Sequence, residues 1–125
     1  VYFNGTVYFG PIADTVQAFR LTNGLLSTSA TSRTAASYAY PGGSLTISAN
    51  GTANAILWAT EKRGASPGAL HAYKAPNLQV ELDNSDQAWT RDALDAVAKF
   101  TVPLVVNGKV FVLSEGRLTA FGLLP

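Results

Sequence analysis

Serine catalysis is the first chemistry to consider, because residues 64–68 (Gly-Ala-Ser-Pro-Gly) match the pattern G-x-S-x-G. In a nucleophile elbow, this pattern places a serine on a sharp turn between a strand and a helix. Here Pro67 follows Ser66 directly, and residues 69–73 have the composition of a strand, so the required helix is not predicted. The pattern is therefore interpreted as a surface turn, and no catalytic residue is predicted.

His71 is the only histidine, and the chain has no cysteine. Protein sites for zinc and other transition metals draw mainly on these two residue types. A repeat described below places Gln17 and Thr119 in positions equivalent to His71, so ordinary polar residues occupy the same position elsewhere in the chain. We therefore interpret His71 as a structural histidine rather than as a metal ligand or a general base.

Four aspartates crowd one part of the chain, with Glu81 nearby: Asp83, Asp86, Asp92 and Asp95. Several carboxylate oxygens together can hold a hard cation such as Ca²⁺. However, the spacing does not match a known calcium loop, and Asp92 and Asp95 fit one solvated face equally well. These four residues are weak calcium candidates, and neither a metal nor another cofactor is predicted to be bound by this chain.

Side chains in loops are the remaining candidates for contacts with a partner. Three segments are expected to make such contacts: residues 33–43, 61–68 and 86–99. Two aromatic and three basic residues lie in them: Tyr40, Lys62, Arg63, Trp89 and Arg91. Because aromatic side chains offer an apolar ring for stacking, the predicted partner is a protein or a carbohydrate.

Composition excludes two other classes of partner. Charged residues make up 14% of the 125 residues, the net charge is +1, and no basic run exceeds two residues. The chain therefore lacks the basic surface that is typical of nucleic-acid binding. No apolar run approaches the roughly 18 residues needed to cross a bilayer, so no membrane span is predicted.

The elements that would carry these side chains follow an internal repeat of roughly 50 residues. An Asn-Gly pair joins two apolar runs in each of three units: Asn4-Gly5, Asn50-Gly51 and Asn107-Gly108. A second apolar phrase with a central alanine follows each time: residues 16–19, 70–73 and 118–121. Because Asn-Gly favours the two-residue turn of a β-hairpin, each unit is predicted to be an antiparallel sheet.

The Asn-Gly turns lead to two further expectations. Asn4 and Asn50 each begin an Asn-Gly-Thr glycosylation sequon, but hairpin geometry explains both without glycosylation. Gly108 is assigned to a position with positive φ, so the substitution Gly108→Val is expected to destabilise the fold much more than Gly116→Val.

The predicted strands are apolar on both faces, as expected for sheets that are covered on both sides. Fourth strands are predicted over residues 24–28 and 78–82, and the third unit ends before any fourth strand. Residues 86–100 carry apolar side chains at roughly helical spacing, so this segment is either a short helix or ordered coil.

In order and spacing, these phrases resemble the pyrroloquinoline-quinone-like β-propeller repeat family, most closely the C-terminal blades of bacterial secreted or surface proteins. The resemblance rests on segments from Tyr40 onward: residues 48–51, 56–60, 68–73, 77–78, 105–112 and 118–125. It implies an all-β fold of antiparallel four-stranded blades, about two and a half to three blades of a larger or oligomer-completed β-propeller. The implied blades cover residues 1–40, 41–100 and 101–125.

The resemblance also implies a function and a location. We expect a non-enzymatic binding or structural module that acts as a rigid interaction scaffold and is secreted, periplasmic or on the bacterial cell surface. One alternative is a C-terminal fragment of a quinone-dependent dehydrogenase, whose pyrroloquinoline quinone and calcium would be held by blades outside this sequence. The other is a self-assembling subunit joined through blade edge strands. The expected partners are accordingly the rest of a propeller or further copies of the chain.

Overall fold

The computed structural model describes residues 1–122, which form three antiparallel β-sheets and one short helix. Sheet one has five strands: β1 (Tyr2–Phe3), β2 (Thr6–Phe9), β3 (Asp14–Thr22), β4 (Leu25–Leu26) and β5 (Ser32–Tyr38). Strands β1, β2 and β3 are consecutive neighbours, and both β4 and β5 pair with the long strand β3. The all-β, antiparallel part of the predicted fold is confirmed.

Sheets two and three repeat this up-and-down order. Sheet two contains β6 (Ser44–Asn50), β7 (Ala53–Arg63), β8 (Ser66–Lys74) and β9 (Glu81–Asn84), and helix α1 (Trp89–Asp92) follows it. Sheet three contains β10 (Leu104–Val106), β11 (Lys109–Ser114) and β12 (Arg117–Phe121). The last three residues of the predicted third unit, 123–125, lie outside the described residues.

The same cross-strand pair recurs in all three sheets, where an aromatic residue of the second strand lies directly opposite the central alanine of the third. The pairs are Tyr8–Ala18, Trp58–Ala72 and Phe111–Ala120. We call the face that carries this pair the forward face of its sheet and the opposite face the rear face. Because side chains alternate along a strand, the aromatic residue that follows each alanine lies on the rear face.

The forward face of sheet one packs on the rear face of sheet two. Val16 and Ala18 on the former and Leu57 and Tyr73 on the latter are fully buried in one apolar cluster. Burial of such side chains contributes about 1.5–3 kcal/mol for each large aliphatic group. The cluster therefore joins the first two sheets into one core.

The forward face of sheet two packs in the same way on the rear face of sheet three. Leu70 and half-buried Trp58 meet Val110 and Val112 in a second apolar cluster, which Val97 of the connecting segment completes. Sheet two is therefore covered on both faces, which explains why its strands carry apolar residues at successive positions.

Polar bridges fix the position of sheet one on sheet two. The Tyr8 hydroxyl donates to the Ala75 carbonyl at 3.1 Å, and the backbone N–H of Leu78 donates to the Ser32 hydroxyl at 2.7 Å. Hydrogen bonds of this kind satisfy polar groups that packing would otherwise strand away from water. Because hydrogen bonds are directional and apolar contacts are not, these bonds fix the orientation of sheet one on sheet two.

Two of the three predicted Asn-Gly hairpins have the predicted turn. Both residues of Asn4-Gly5 and of Asn107-Gly108 have positive φ, as the two-residue turn requires. The third pair differs, because Asn50 is still part of β6 and the turn residues are Gly51 and Thr52. A register shift after Ser48 accommodates the displaced turn.

Other predicted details of the strands differ from the structure. Residues 24–28 form only the short strand β4, which follows an unpredicted turn at Asn23-Gly24, and β5 is the outer strand of sheet one. In sheet two, turns bonded through Asn77 occupy the first half of the predicted strand 78–82 and delay β9 to Glu81. The predicted long turn 61–68 is short, because β7 and β8 pair as far as Arg63 and Ser66.

The segment 86–100 combines both of the predicted alternatives. Only α1 is helical, and the remainder is mostly coil whose Leu94 and Val97 are buried between sheets two and three.

Across residues 1–122, no helix is long and apolar enough to cross a membrane.

Gly116 also has positive φ, at +70°, beside +71° for Gly108, so the contrast expected between these two glycines is wrong. We predict instead that Gly108→Ala and Gly116→Ala each cost about 1–2 kcal/mol of stability, because an L-residue is strained in this region of φ. Thermal unfolding of the variants measures the cost.

Gly122→Ala is the matched control, because φ of Gly122 is not positive. Its added Cβ would lie at ordinary van der Waals distances from the Lys109 side chain, at 3.4 Å, and from the Gly108 carbonyl oxygen, at 3.9 Å. This control should change stability by less than about 0.5 kcal/mol. Equal small effects in all three variants would contradict the turn assignment.

Candidate functional site

His71 lies at the centre of the largest group of interacting polar side chains in the described sheets. It is in β8, opposite Ala59 of β7 and Asn84 of β9, and only 6% of its surface is exposed. Its ring points from the rear face of sheet two toward sheet one. Strand pairing alone therefore brings residues of three strands around one buried imidazole.

Two carboxylates flank the imidazole ring. Nδ1 of His71 lies 2.7 Å from Oε1 of Glu81, and Nε2 lies 3.2 Å from Oε2 of Glu61. An ionised carboxylate can only accept a hydrogen bond, so both ring nitrogens must carry a proton to satisfy both contacts. The geometry is therefore that of an imidazolium ion held between two anions.

The ring is closed off from solvent by two tyrosines. Tyr73 stacks on it with a centroid distance of 5.9 Å, and Tyr38 of sheet one approaches edge-on at 5.6 Å. The hydroxyls of the two tyrosines are 2.9 Å apart and hydrogen-bonded to each other. Burial raises the pKa of Tyr73 to about 12 and raises the pKa of Tyr38 as well, so both stay neutral.

The pKa values of His71 and Glu61 shift in opposite directions. Burial alone lowers the pKa of His71, but the hydrogen bonds to Glu61 and Glu81 outweigh burial and raise that pKa above the usual 6.5. Burial likewise raises the pKa of Glu61, and the hydrogen bonds from His71 and Arg63 outweigh it to hold that pKa below the usual 4.5. The ion pair is therefore the stable form near neutral pH.

Arg63 extends the cluster beyond the sheet. Its Nε donates to Glu61 at 2.8 Å, and its two terminal nitrogens bond to the carboxylate of Asp86 at 2.7 and 3.2 Å. Asp86 lies in the segment that leads from sheet two toward sheet three. The guanidinium therefore ties this connecting segment to the end of the β7–β8 hairpin.

This arrangement acts as a clamp rather than as catalytic machinery. Both nitrogens of His71 are occupied by carboxylates, so the imidazole has no free site for a substrate or a nucleophile.

Ser66 is the first residue of β8 and is followed by a strand, which is not the strand-to-helix turn of a nucleophile elbow.

The four weak calcium candidates do not come together. Three of them are paired with separate arginines, in the pairs Asp86–Arg63, Asp92–Arg91 and Asp95–Arg117. The Asp83 carboxylate accepts a hydrogen bond from the backbone N–H of Asn84 at 2.9 Å. Within residues 1–122, no group of three or more histidine or acidic side chains is placed to hold a metal ion.

The five predicted contact residues lie at separate places. Tyr40 is exposed in the connection between β5 and β6, where the Lys99 ammonium lies 5.2 Å from its ring centroid. Trp89 and Arg91 lie on α1, both about half exposed, and Arg91 is paired with Asp92.

Lys62 and Arg63 belong to the end of β7 rather than to a loop. Lys62 contacts the carbonyl of Gly64, and Arg63 is committed to the clamp. Of the five residues, Tyr40 and Trp89 therefore expose aromatic surface, and Lys99 lies over the Tyr40 ring.

A cleft of about 610 Å³ also opens between sheets two and three. Its lining includes the aromatic residues Trp58 and Phe121 and the charged residues Asp83, Arg91 and Lys109.

The sequence alone predicts a structural His71 but does not reveal its two glutamate partners. The sequence places Glu61 in a loop and Glu81 in the predicted strand 78–82, and it links neither residue to His71. These partners depend on the length of the β7–β8 hairpin. Because Glu61 pairs with Ala69, its side chain lies on the same face of the sheet as His71 and next to it. A turn at Gly64-Ala65, which the glycine indicates, would have given this register.

Comparison of the chain with protein-family models, with curated proteins and with solved structures gave no match. The resemblance to quinone-like propeller repeats therefore stays a prediction.

We predict that the free energy of unfolding falls as the pH rises above 6.5, the usual pKa of histidine, and through the higher pKa of His71 in the folded protein. A raised pKa means that protonated His71 stabilises the fold in full below its usual 6.5, and this stabilisation is lost as the pH rises through the folded pKa. Below pH 4.5, protonation of Glu61 removes its own contribution. Urea denaturation at each pH measures the effect, and His71→Gln should flatten most of the decline above pH 6.5.

The single histidine gives a direct control by NMR, because its Cε1–H resonance titrates alone. Glu81→Gln should lower the pKa of His71, whereas Glu115→Gln, at the exposed β11–β12 turn, should leave it unchanged. A measured pKa at or below 6.5 in the unchanged chain would show that burial outweighs the two carboxylates.

Arg63→Gln is predicted to cost about 1 kcal/mol of stability, because it leaves Glu61 and Asp86 without their shared cation. The loss is moderate since a third of the Arg63 side chain is exposed to water. Lys62→Gln is the matched control one residue away, and it should change the denaturation midpoint little. Equal effects of the two substitutions would contradict the role of Arg63 in the clamp.

Proposed function

We propose that this chain is a non-enzymatic structural and binding module, in which the three sheets are blades of a larger β-propeller-type stack. The stack would be completed by further sheets, and exposed side chains such as Tyr40 and Trp89 would be free for contact with a protein or carbohydrate. The observation that carries the proposal is the exposure of repeat-equivalent positions on the two outermost faces.

On the forward faces, equivalent positions are buried in sheets one and two and exposed in sheet three. Val16 of sheet one is 0% exposed and Leu70 of sheet two is 3% exposed, but the equivalent Leu118 of sheet three is 64% exposed. The alanines follow the same order, since Ala18 and Ala72 are buried and Ala120 is exposed. Sheet three thus presents a surface that is covered wherever another sheet follows.

On the rear faces, the change occurs at the other end. Ala59 of sheet two and Val112 of sheet three are both 0% exposed, whereas the equivalent Phe9 of sheet one is 57% exposed. Phe9 lies beside half-buried Val7 and Phe19 on this face. Monomeric proteins rarely leave large contiguous apolar patches uncovered. The exposure of Phe9 on one outer face and Leu118 on the other therefore favours a module that works within a larger assembly.

The proposal predicts that Leu118 and Phe9 are protected from solvent in the protein isolated under non-denaturing conditions, together with any chain bound to it. Hydroxyl-radical footprinting with mass spectrometry measures this protection. Leu25 is the control, because it is 74% exposed on the peripheral strand β4 and lies outside the equivalent positions. Leu118 and Phe9 should react several-fold more slowly than Leu25, relative to the denatured chain.

Rapid labelling of all three residues would overturn the proposal, since the outer faces would then be free surfaces. Protection of the two face residues would support stacking whether the covering sheet belongs to another copy or to a different segment of chain. The experiment therefore tests the need for a neighbour independently of the neighbour's identity.

A further inference from the structure

The geometry points to a second copy of this chain as the neighbour, with the forward face of sheet three docked on the rear face of sheet one in the other copy. This inference rests on the proposed function, because it takes the two outer faces as interfaces. It adds which face covers which, and it identifies the occupant.

The first step is the direction of stacking inside the chain. Both internal interfaces join a forward face to a rear face: sheet one to sheet two, and sheet two to sheet three. Neither joins two faces of the same kind. A neighbour that continues this series on sheet three must therefore offer a rear face.

The second step is the match between the exposed residues and those buried at the internal interfaces. Within residues 1–122, no rear face covers the forward face of sheet three. Sheet one has an uncovered rear face, on which Val7 and Phe9 occupy the positions of Val110 and Val112. The forward face to be covered presents Leu118 and half-buried Phe111, which occupy the positions of Leu70 and Trp58. The two uncovered faces thus have the same residue classes as the two sides of an interface that already exists in the chain.

The third step is symmetry. A forward-on-rear contact is heterologous, so it either closes into a ring or extends without limit. Two copies of residues 1–122 supply six sheets, a number within the range of about four to eight blades at which propellers close. The expected assembly is therefore a closed pair of copies with two identical interfaces.

Complementary variants test this arrangement. Leu118→Lys places a charge on the forward face, and Phe9→Lys places one on the rear face, while each leaves the other face intact. The native mass of each, measured by light scattering, is expected to be that of the single 13.1 kDa chain, against about twice that mass for the unchanged chain. An equimolar mixture of the two variants should form a one-to-one complex, because it restores one intact forward-on-rear interface.

Controls separate loss of association from loss of folding. Leu118 and Phe9 are both more than half exposed, so circular dichroism of each variant should match the unchanged chain. Leu25→Lys, at an equally exposed leucine on β4, should keep the native mass of the unchanged chain.

Several results would overturn the inference. If two forward faces met, Leu118→Lys would prevent association and Phe9→Lys would not. If two rear faces met, the effects of the two variants would be reversed. In both cases the mixture of the two variants would form no one-to-one complex. A native mass of one chain for the unchanged protein at every concentration would also overturn the inference. If Leu118 and Phe9 are nevertheless protected in the isolated protein, the proposed function stands with a different neighbour; without protection, both proposals fail.

Discussion

The packing of one sheet's forward face on the next sheet's rear face is the interaction on which the rest of this structure depends. Each forward face carries an aromatic side chain opposite an alanine, as in Tyr8–Ala18 and Trp58–Ala72. The small alanine leaves room beside the ring, so a large and a small residue together form a surface on which the next sheet can lie closely. Isolated three- or four-stranded sheets with two apolar faces would otherwise expose much of their own core.

The clamp around His71 fixes the register of β7, β8 and β9, which apolar packing alone specifies poorly. Buried charges are expensive unless they are paired, and here each charge has an opposite neighbour: His71 with two glutamates, and Arg63 with Glu61 and Asp86. The cluster links β7, β8, β9 and the segment toward sheet three. Its contribution lies in specifying register and direction, which hydrophobic contact supplies poorly.

The repeat, the antiparallel class and two of three Asn-Gly turns follow from the sequence, because apolar periodicity and positive-φ turn residues act locally. What could not be predicted depends on contacts between distant residues. The displaced turn after Asn50 and the late start of β9 are set by strand register and by turns within the sheet. The partners of His71 depend on the length of the β7–β8 hairpin. The exposure of Leu118 depends on which sheets have a neighbour on that face.

The equivalence of the faces has a consequence for how such a chain can change during evolution. Because both internal interfaces join a forward face to a rear face, duplication of sheet two within the gene would add a sheet with the same two kinds of face as the sheet it follows. Insertion of a single residue inside β8 would instead turn its side chains to the opposite faces and separate His71 from its glutamates. Divergence in length is therefore expected to proceed by whole units, or within the turns, rather than within the strands.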